Sequence, residues 1–151
     1  MANVTIRHLL DRARGFERKL EAHYAAIRDR SKDDGVRLLT YYLSRHRRHL
    51  DEAIAGYGGS DLQKILEVRL KHDVVFDPVA SMEIVRVPPT AVDGQQLLEA
   101  AVAHDLELVG LYRRILEQPL GEGATALVRS LVRLEERDIV MLKKMIAMHY
   151  F

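Results

Sequence analysis

No cysteine occurs in the 151 residues. That absence excludes disulfides, thiol catalysis, Cys-ligated zinc and iron–sulfur centres, and a rubredoxin-type iron site. No apolar run is long enough to span a bilayer, and the N-terminus lacks the apolar core of a signal peptide. A cytoplasmic location without a membrane partner is therefore the expectation. An excess of either charge is also missing: 23 basic residues face 22 acidic ones, for a net charge of +1. A dedicated nucleic-acid binder shows a clear basic surplus, so no nucleic-acid partner is expected. The four prolines and nine glycines sit mostly between periodic segments. β-Branched runs are scarce outside residues 74–87. What the chain does have is 48% hydrophobic residues, enough for a real core, at a length that fits a single domain over residues 1–151.

The hydrophobic residues recur at helical spacing in four long segments and one short one. The first long helix is expected from about Thr5 to Arg30. The second begins near Asp33 or Asp34, both candidate N-caps, and stops at Gly56-Tyr57-Gly58-Gly59. A short helix from Ser60, its candidate cap, to about Lys71 follows. The third long helix is expected near Thr90, with Thr90-Ala91-Val92-Asp93 as a capping box, and ends before Pro119. The fourth runs from about Ala124 to His149. The short connections make antiparallel hairpins of about 5–57 and 91–149. Between them, residues 73–89 contain no helical period and reach roughly 50 Å when extended. A helix of about 26 residues is only about 39 Å long. The connecting region, about 60–89, can thus cross the whole bundle and leave the second and third long helices parallel. Val74, Val75, Phe76, Ile84 and Val85 are expected to pack this crossover onto the helices, with a subunit contact as the alternative.

The two halves repeat at an offset of 88 residues. Ala13 falls on Ala101, Glu17 on Asp105, Leu20 on Leu108, Tyr24 on Tyr112, Ile27 on Ile115 and Gly35 on Gly123; Leu39/Leu127 and Leu43/Leu131 continue the register. In both halves a carboxylate interrupts the apolar stripe, and on a bundle's inner face that costs free energy unless something pairs with it. In the fourth helix Glu135 and Asp138 are three apart on one face, neither at a helix end. In the second, His46 and His49 are also three apart, and imidazole is a common metal ligand. All six polar residues fall near mid-helix, so an antiparallel bundle brings them to one level. The plainer alternatives are a satisfied core histidine, a Glu17 leaning out beside Glu21, a half-exposed Asp105 partnered by His104, and surface pairs of Glu135 and Asp138 with Arg129, Arg133 or Arg137. Tyr24 and Tyr112 lie two turns beyond Glu17 and Asp105, suited to packing or to a hydrogen bond onto a ligand carboxylate. Met141, Met145 and Met148 read as core filling.

With these residues in view, the chain resembles the ferritin-like superfamily, particularly its rubrerythrin-like branch, over residues 5–57 and 91–149. Members carry a Glu on the first and third helices with Tyr seven residues later, and Glu-x-x-His on the second and fourth. Glu17 with Tyr24 and Asp105 with Tyr112 match the first pattern, the latter with a shorter acid. His46-Arg-Arg-His49 and Glu135-Glu-Arg-Asp138 stand at the two Glu-x-x-His positions, with one Glu become His and one His become Asp. The resemblance implies an all-α, ferritin-like four-helix bundle with a long crossover. It also implies a non-haem di-iron or related carboxylate-bridged centre with Glu17, His46, His49, Asp105, Glu135 and Asp138 as ligands and Tyr24, Tyr112 and His104 around them. The bridging carboxylate of the second helix is missing, which leaves one ion, two ions, a zinc or no metal as alternatives. The function implied is O₂ or peroxide chemistry or iron handling. The alternative is a metal-free interaction or oligomerisation module. In either case the expected assembly is a homo-oligomer, most simply a dimer. A hemerythrin-like bundle needs inward histidines on all four helices, which His8, His23, His72 and His149 do not supply.

Overall fold

The computed structural model describes residues 3–45, 49–78 and 88–148, and over these the protein is all-helical. Helix α1, Ile6–Arg30, buries Ile6, Leu9, Leu10, Ala13, Phe16, Leu20, Tyr24 and Ile27, one stripe at spacings of three and four. Thr5 caps it. Its hydroxyl accepts the His8 backbone N–H, and the His8 ring accepts the Thr5 N–H at 3.0 Å, a capping box with His in place of Glu. Arg28 and Arg30 close the helix where its dipole is negative. Residues 31–33 turn the chain into α2, Asp34–Arg45. Asp33 accepts the N–H groups of Gly35 and Val36 at 2.8 and 3.2 Å, as expected of an N-cap. Helix α3, His49–Ile54, and the short α4, Gly59–Leu66, follow. The single second helix of the sequence reading is thus described as α2 and α3, with residues 46–48 outside the described residues.

Several boundaries differ from the sequence reading, each for a local reason. Ser60 is not a cap: it lies inside α4, whose N-cap is Gly58. That helix stops at Leu66 rather than Lys71 because the chain beyond it pairs with the N-terminus. Ile6 N–H donates to the Val68 carbonyl and Leu70 N–H to the Val4 carbonyl, both at 2.9 Å. Helix α5, Gly94–Leu116, begins four residues later than Thr90. Asp93 is its N-cap and shares a capping box with Gln96, at 2.8 and 3.1 Å, while Pro89–Ala91 form a single 3₁₀ turn. Helix α6, Glu122–Ala147, starts two residues before Ala124. Its cap is Gly121 at φ +83°, a conformation an L side chain resists. Gly123 allows close approach of α4, since a Cβ there would stand 3.2 Å from Ile65 Cγ1.

Helix α5 packs on α6, α1 on α2, α2 on α5 and α3 on α6. The repeat-related pairs Ala13/Ala101, Leu20/Leu108, Tyr24/Tyr112, Ile27/Ile115, Leu39/Leu127 and Leu43/Leu131 are all buried. The segment that follows α4 is clamped to α1 and α5. The Gln118 amide donates to the His72 carbonyl at 2.8 Å and accepts its N–H at 2.9 Å. Arg12 reaches Asp73 and the Val74 carbonyl, Arg114 reaches the Val75 carbonyl, and the Phe76 ring meets Phe16 edge-on at 5.5 Å. Val74 and Phe76 pack inward as expected, but the Val75 side chain is exposed because its backbone turns the carbonyl toward Arg114. Ile84 and Val85 lie outside the described residues. Arg12 and Arg114 hold the neighbouring residues Val74 and Val75, whereas Phe16 and Tyr24 meet His104. The numbering therefore rises along α1 as it falls along α5, and the two helices are antiparallel. Met141 and Met148 are exposed rather than core filling; of the three methionines only Met145 packs on the core.

The corrected start of α5 is testable. Asp93→Ala removes the acceptor for the Gln96 N–H and is expected to lower stability by about 1 kcal/mol, with Asp93→Asn retaining most of it. Urea unfolding of the three proteins measures this, and equal midpoints would contradict Asp93 as the cap.

Candidate functional site

Four of the six proposed ligands, His49, Asp105, Glu135 and Asp138, are buried. Asp105 and His104 are fully buried on α5, Glu135 is 1% exposed on α6, and Asp138 and His49 are buried beside them. Glu17 on α1 is half-buried. The half-exposed Asp105 and the surface pairing of Glu135 and Asp138 are thereby overturned: the α5 and α6 stripes face the core without rotation. His46 lies outside the described residues.

Their relations centre on two groups. Nδ1 of His49 lies 3.1 Å from Oε1 of Glu135, joining α3 to α6 by a buried pair. Oε2 of Glu135 is buried with no hydrogen-bond partner among the described residues, and so is the hydroxyl of Tyr112. Burial pushes the Tyr112 phenol well above its ordinary range. The negative charges of Glu135, Glu17 and Asp105 push it further, with Arg14 partly offsetting them. Three carboxylates from α6, α1 and α5 thus bear on one buried hydroxyl. Asp138 stands by the Tyr42 phenol, which burial and then the Asp138 charge raise. Tyr42, His49 and Asp138 line one cleft of about 590 Å³, with Arg45 and Arg137 among its other residues. Among the described residues no three His, Asp or Glu side chains gather closely enough to hold an ion as they stand.

The repeat explains why Tyr112 differs from Tyr24. The Tyr24 hydroxyl lies 3.4 Å from Nδ1 of His104. The residue 88 positions before His104 is Phe16, which has no polar atom to offer the second tyrosine. Phe16 and His104, equivalent positions of the repeat, themselves touch edge-on at 5.7 Å. The sequence placed His104 around the proposed ligands, with a half-exposed pairing to Asp105 as the alternative, and discounted His23 as an inward histidine. Both are buried. His23 sits between Leu20 and Ile27 at helical spacing, and His104 stands in the register of Phe16; those two signals find them. Burial lowers the pKa of His23, whose Nε2 has no hydrogen-bond partner among the described residues.

Tyr24→Phe removes a partner of the buried His104 imidazole and is expected to destabilise the fold by about 1 kcal/mol, whereas Tyr112→Phe removes an unsatisfied hydroxyl and is neutral or stabilising. Denaturant melts compare the two, and a larger loss for Tyr112→Phe would contradict the assignment. For His23 the fold favours the neutral ring, so its folded pKa is below the ordinary 6.5. Its contribution is complete above 6.5 and is lost as pH falls below that value. Stability measured at successive pH steps should fall more steeply on the acid side for the native protein than for His23→Leu; parallel curves would remove His23 as a source of acid sensitivity. Comparison of the chain with family models, with curated proteins and with solved structures gave no match.

Proposed function

We propose that the chain is a ferritin-like four-helix bundle with one long crossover. Its centre binds a divalent cation, non-haem iron first, through Glu17, His49, Asp105, Glu135 and Asp138, with His46 as a further ligand. The two helix hairpins, the antiparallel α1 and α5, and a crossover that starts beside the N-terminus of α1 support the bundle. The observation that carries the metal reading is the buried Glu135. One of its oxygens meets His49 and the other has no partner among the described residues, in a centre where two more carboxylates act on the same phenol. Several buried anions favour a cation among them. The donors are carboxylate oxygens and imidazole nitrogens, a set that suits iron, zinc or manganese. Side-chain rotation of Glu17 and Asp138, the less deeply buried acids, would complete the ligand set.

A bound divalent ion supplies Lewis acidity, and iron adds one-electron exchange with O₂ or peroxide. The chain's own contributions are positional. His49 and Glu135 hold each other's orientation across α3 and α6. The Tyr112 hydroxyl is available to donate to an oxygen at the centre. The leucines around Asp105 and Glu135 exclude water, and the cleft at Tyr42 and Asp138 gives small solutes a route inward.

The His49–Glu135 pair favours a second reading, a metal-free interaction or oligomerisation module in which a protonated His49 neutralises Glu135. Metal analysis of protein purified without a His-tag, followed by Fe²⁺ and Zn²⁺ titration of the apoprotein, separates the two. The metal reading expects the melting temperature to rise with metal by mass action. It also expects Asp138→Asn to weaken metal binding strongly while leaving the apoprotein as stable as the native chain. No metal response, with Asp138→Asn destabilised, would favour the module. His49→Ala does not discriminate, because leaving Glu135 unpaired costs about 3–5 kcal/mol under either reading.

A further inference from the structure

A second groove, of about 920 Å³, runs along the outer face of α1 and α2. Ala22 and Ala25 are among its lining residues, and their small side chains leave room above the helix backbone. Arg18 and Arg28 from α1 and Arg45 from α2 also line it, and Glu21 is the one acid among its described lining residues. Three guanidinium groups against one carboxylate give a local charge of +2 on a chain whose net charge is only +1. The arginine ion pairs among the described residues involve Arg12, Arg14, Arg37 and Arg113, and none of the three groove arginines. Arg28 instead lies over the ring of Tyr41, 4.3 Å from its centroid, although that ring is 57% exposed.

The groove has two chemically different ends. Arg18 and Arg28 are ten residues apart on one helix, which separates their backbones by about 15 Å. Because α2 returns antiparallel to α1 and Tyr41 meets Arg28, Arg45 lies one turn further toward the Arg18 end. One end therefore presents two guanidinium groups, which match phosphate geometry. The other presents an exposed aromatic–guanidinium platform of the kind that stacks on planar rings. The volume falls within the roughly 300–1,000 Å³ of small-molecule sites.

We infer that this groove binds a phosphorylated small molecule with a planar ring, such as a nucleotide, its phosphates at Arg18 and Arg45 and its ring at Tyr41. The inference is independent of metal at the bundle centre.

Calorimetric titration of the full chain with magnesium-free ATP at fixed ionic strength tests it, with tripolyphosphate as the ringless probe. Saturable one-to-one ATP binding is expected. It should weaken at least tenfold in Arg18→Gln/Arg45→Gln and tighten severalfold in Glu21→Gln, a gain that misfolding cannot produce. Tyr41→Ala should bring ATP down to the affinity of tripolyphosphate. The absence of saturable ATP binding would overturn the inference, as would an equal loss in Arg133→Gln, which lies on α6 away from the groove. Tripolyphosphate binding as tightly as ATP to the native chain would overturn the assignment of the ring to Tyr41.

Discussion

The interaction on which the interior depends is the burial of carboxylates among leucines. Asp105 has no exposed surface and Glu135 almost none. An ionised carboxylate in such surroundings is costly unless compensated. For Glu135 half of the compensation is visible, through His49 on a helix that packs against α6. A leucine at either acidic position would fill similar space without that cost. The burial of Asp105, Glu135 and Asp138 together in one core therefore carries more information than any single residue.

The rest of the structure fixes where those acids stand. The turns at 31–33 and 117–121 set the two hairpins, and the segment 68–76 ties α1 to α5 through Arg12, Arg114 and Gln118. These contacts hold the side chains of α1 and α5 in register with each other. The internal repeat then makes the asymmetry of the centre interpretable. Tyr24 and Tyr112 occupy equivalent buried places, but only Tyr24 has an imidazole opposite it. The exchange of His104 for Phe16 between the halves leaves one hydroxyl satisfied and the other open. The open one feels the charges of Glu135, Glu17 and Asp105, so the polar chemistry concentrates around Tyr112.

Much of this was legible in the chain itself. The inward direction of Glu135 and Asp138 followed from their spacing within an apolar stripe, and the buried register of the repeat followed from Tyr24 and Tyr112. Less legible were features set by a competing local bond. Thr90 and Asp93 both offer a capping side chain, and only the reciprocal bond with Gln96 decides for Asp93. The end of α4 depends on pairing with residues more than sixty positions earlier, which no local pattern contains. Met141 and Met148 fit the stripe by type but fall on the outer face, since a helix phase error of one position is enough to move a side chain outside. The pair between His49 and Glu135 required knowing that α3 packs on α6.

The most direct test of a cation-binding centre is X-ray diffraction from crystals of the full chain grown with Fe²⁺ or Zn²⁺, with data collected at the absorption edge of the metal. The account predicts an anomalous peak within bonding distance of Glu135 and of at least two among Glu17, His49, Asp105 and Asp138. Anomalous density confined to surface carboxylates, with His49 still seated on Glu135, would contradict it.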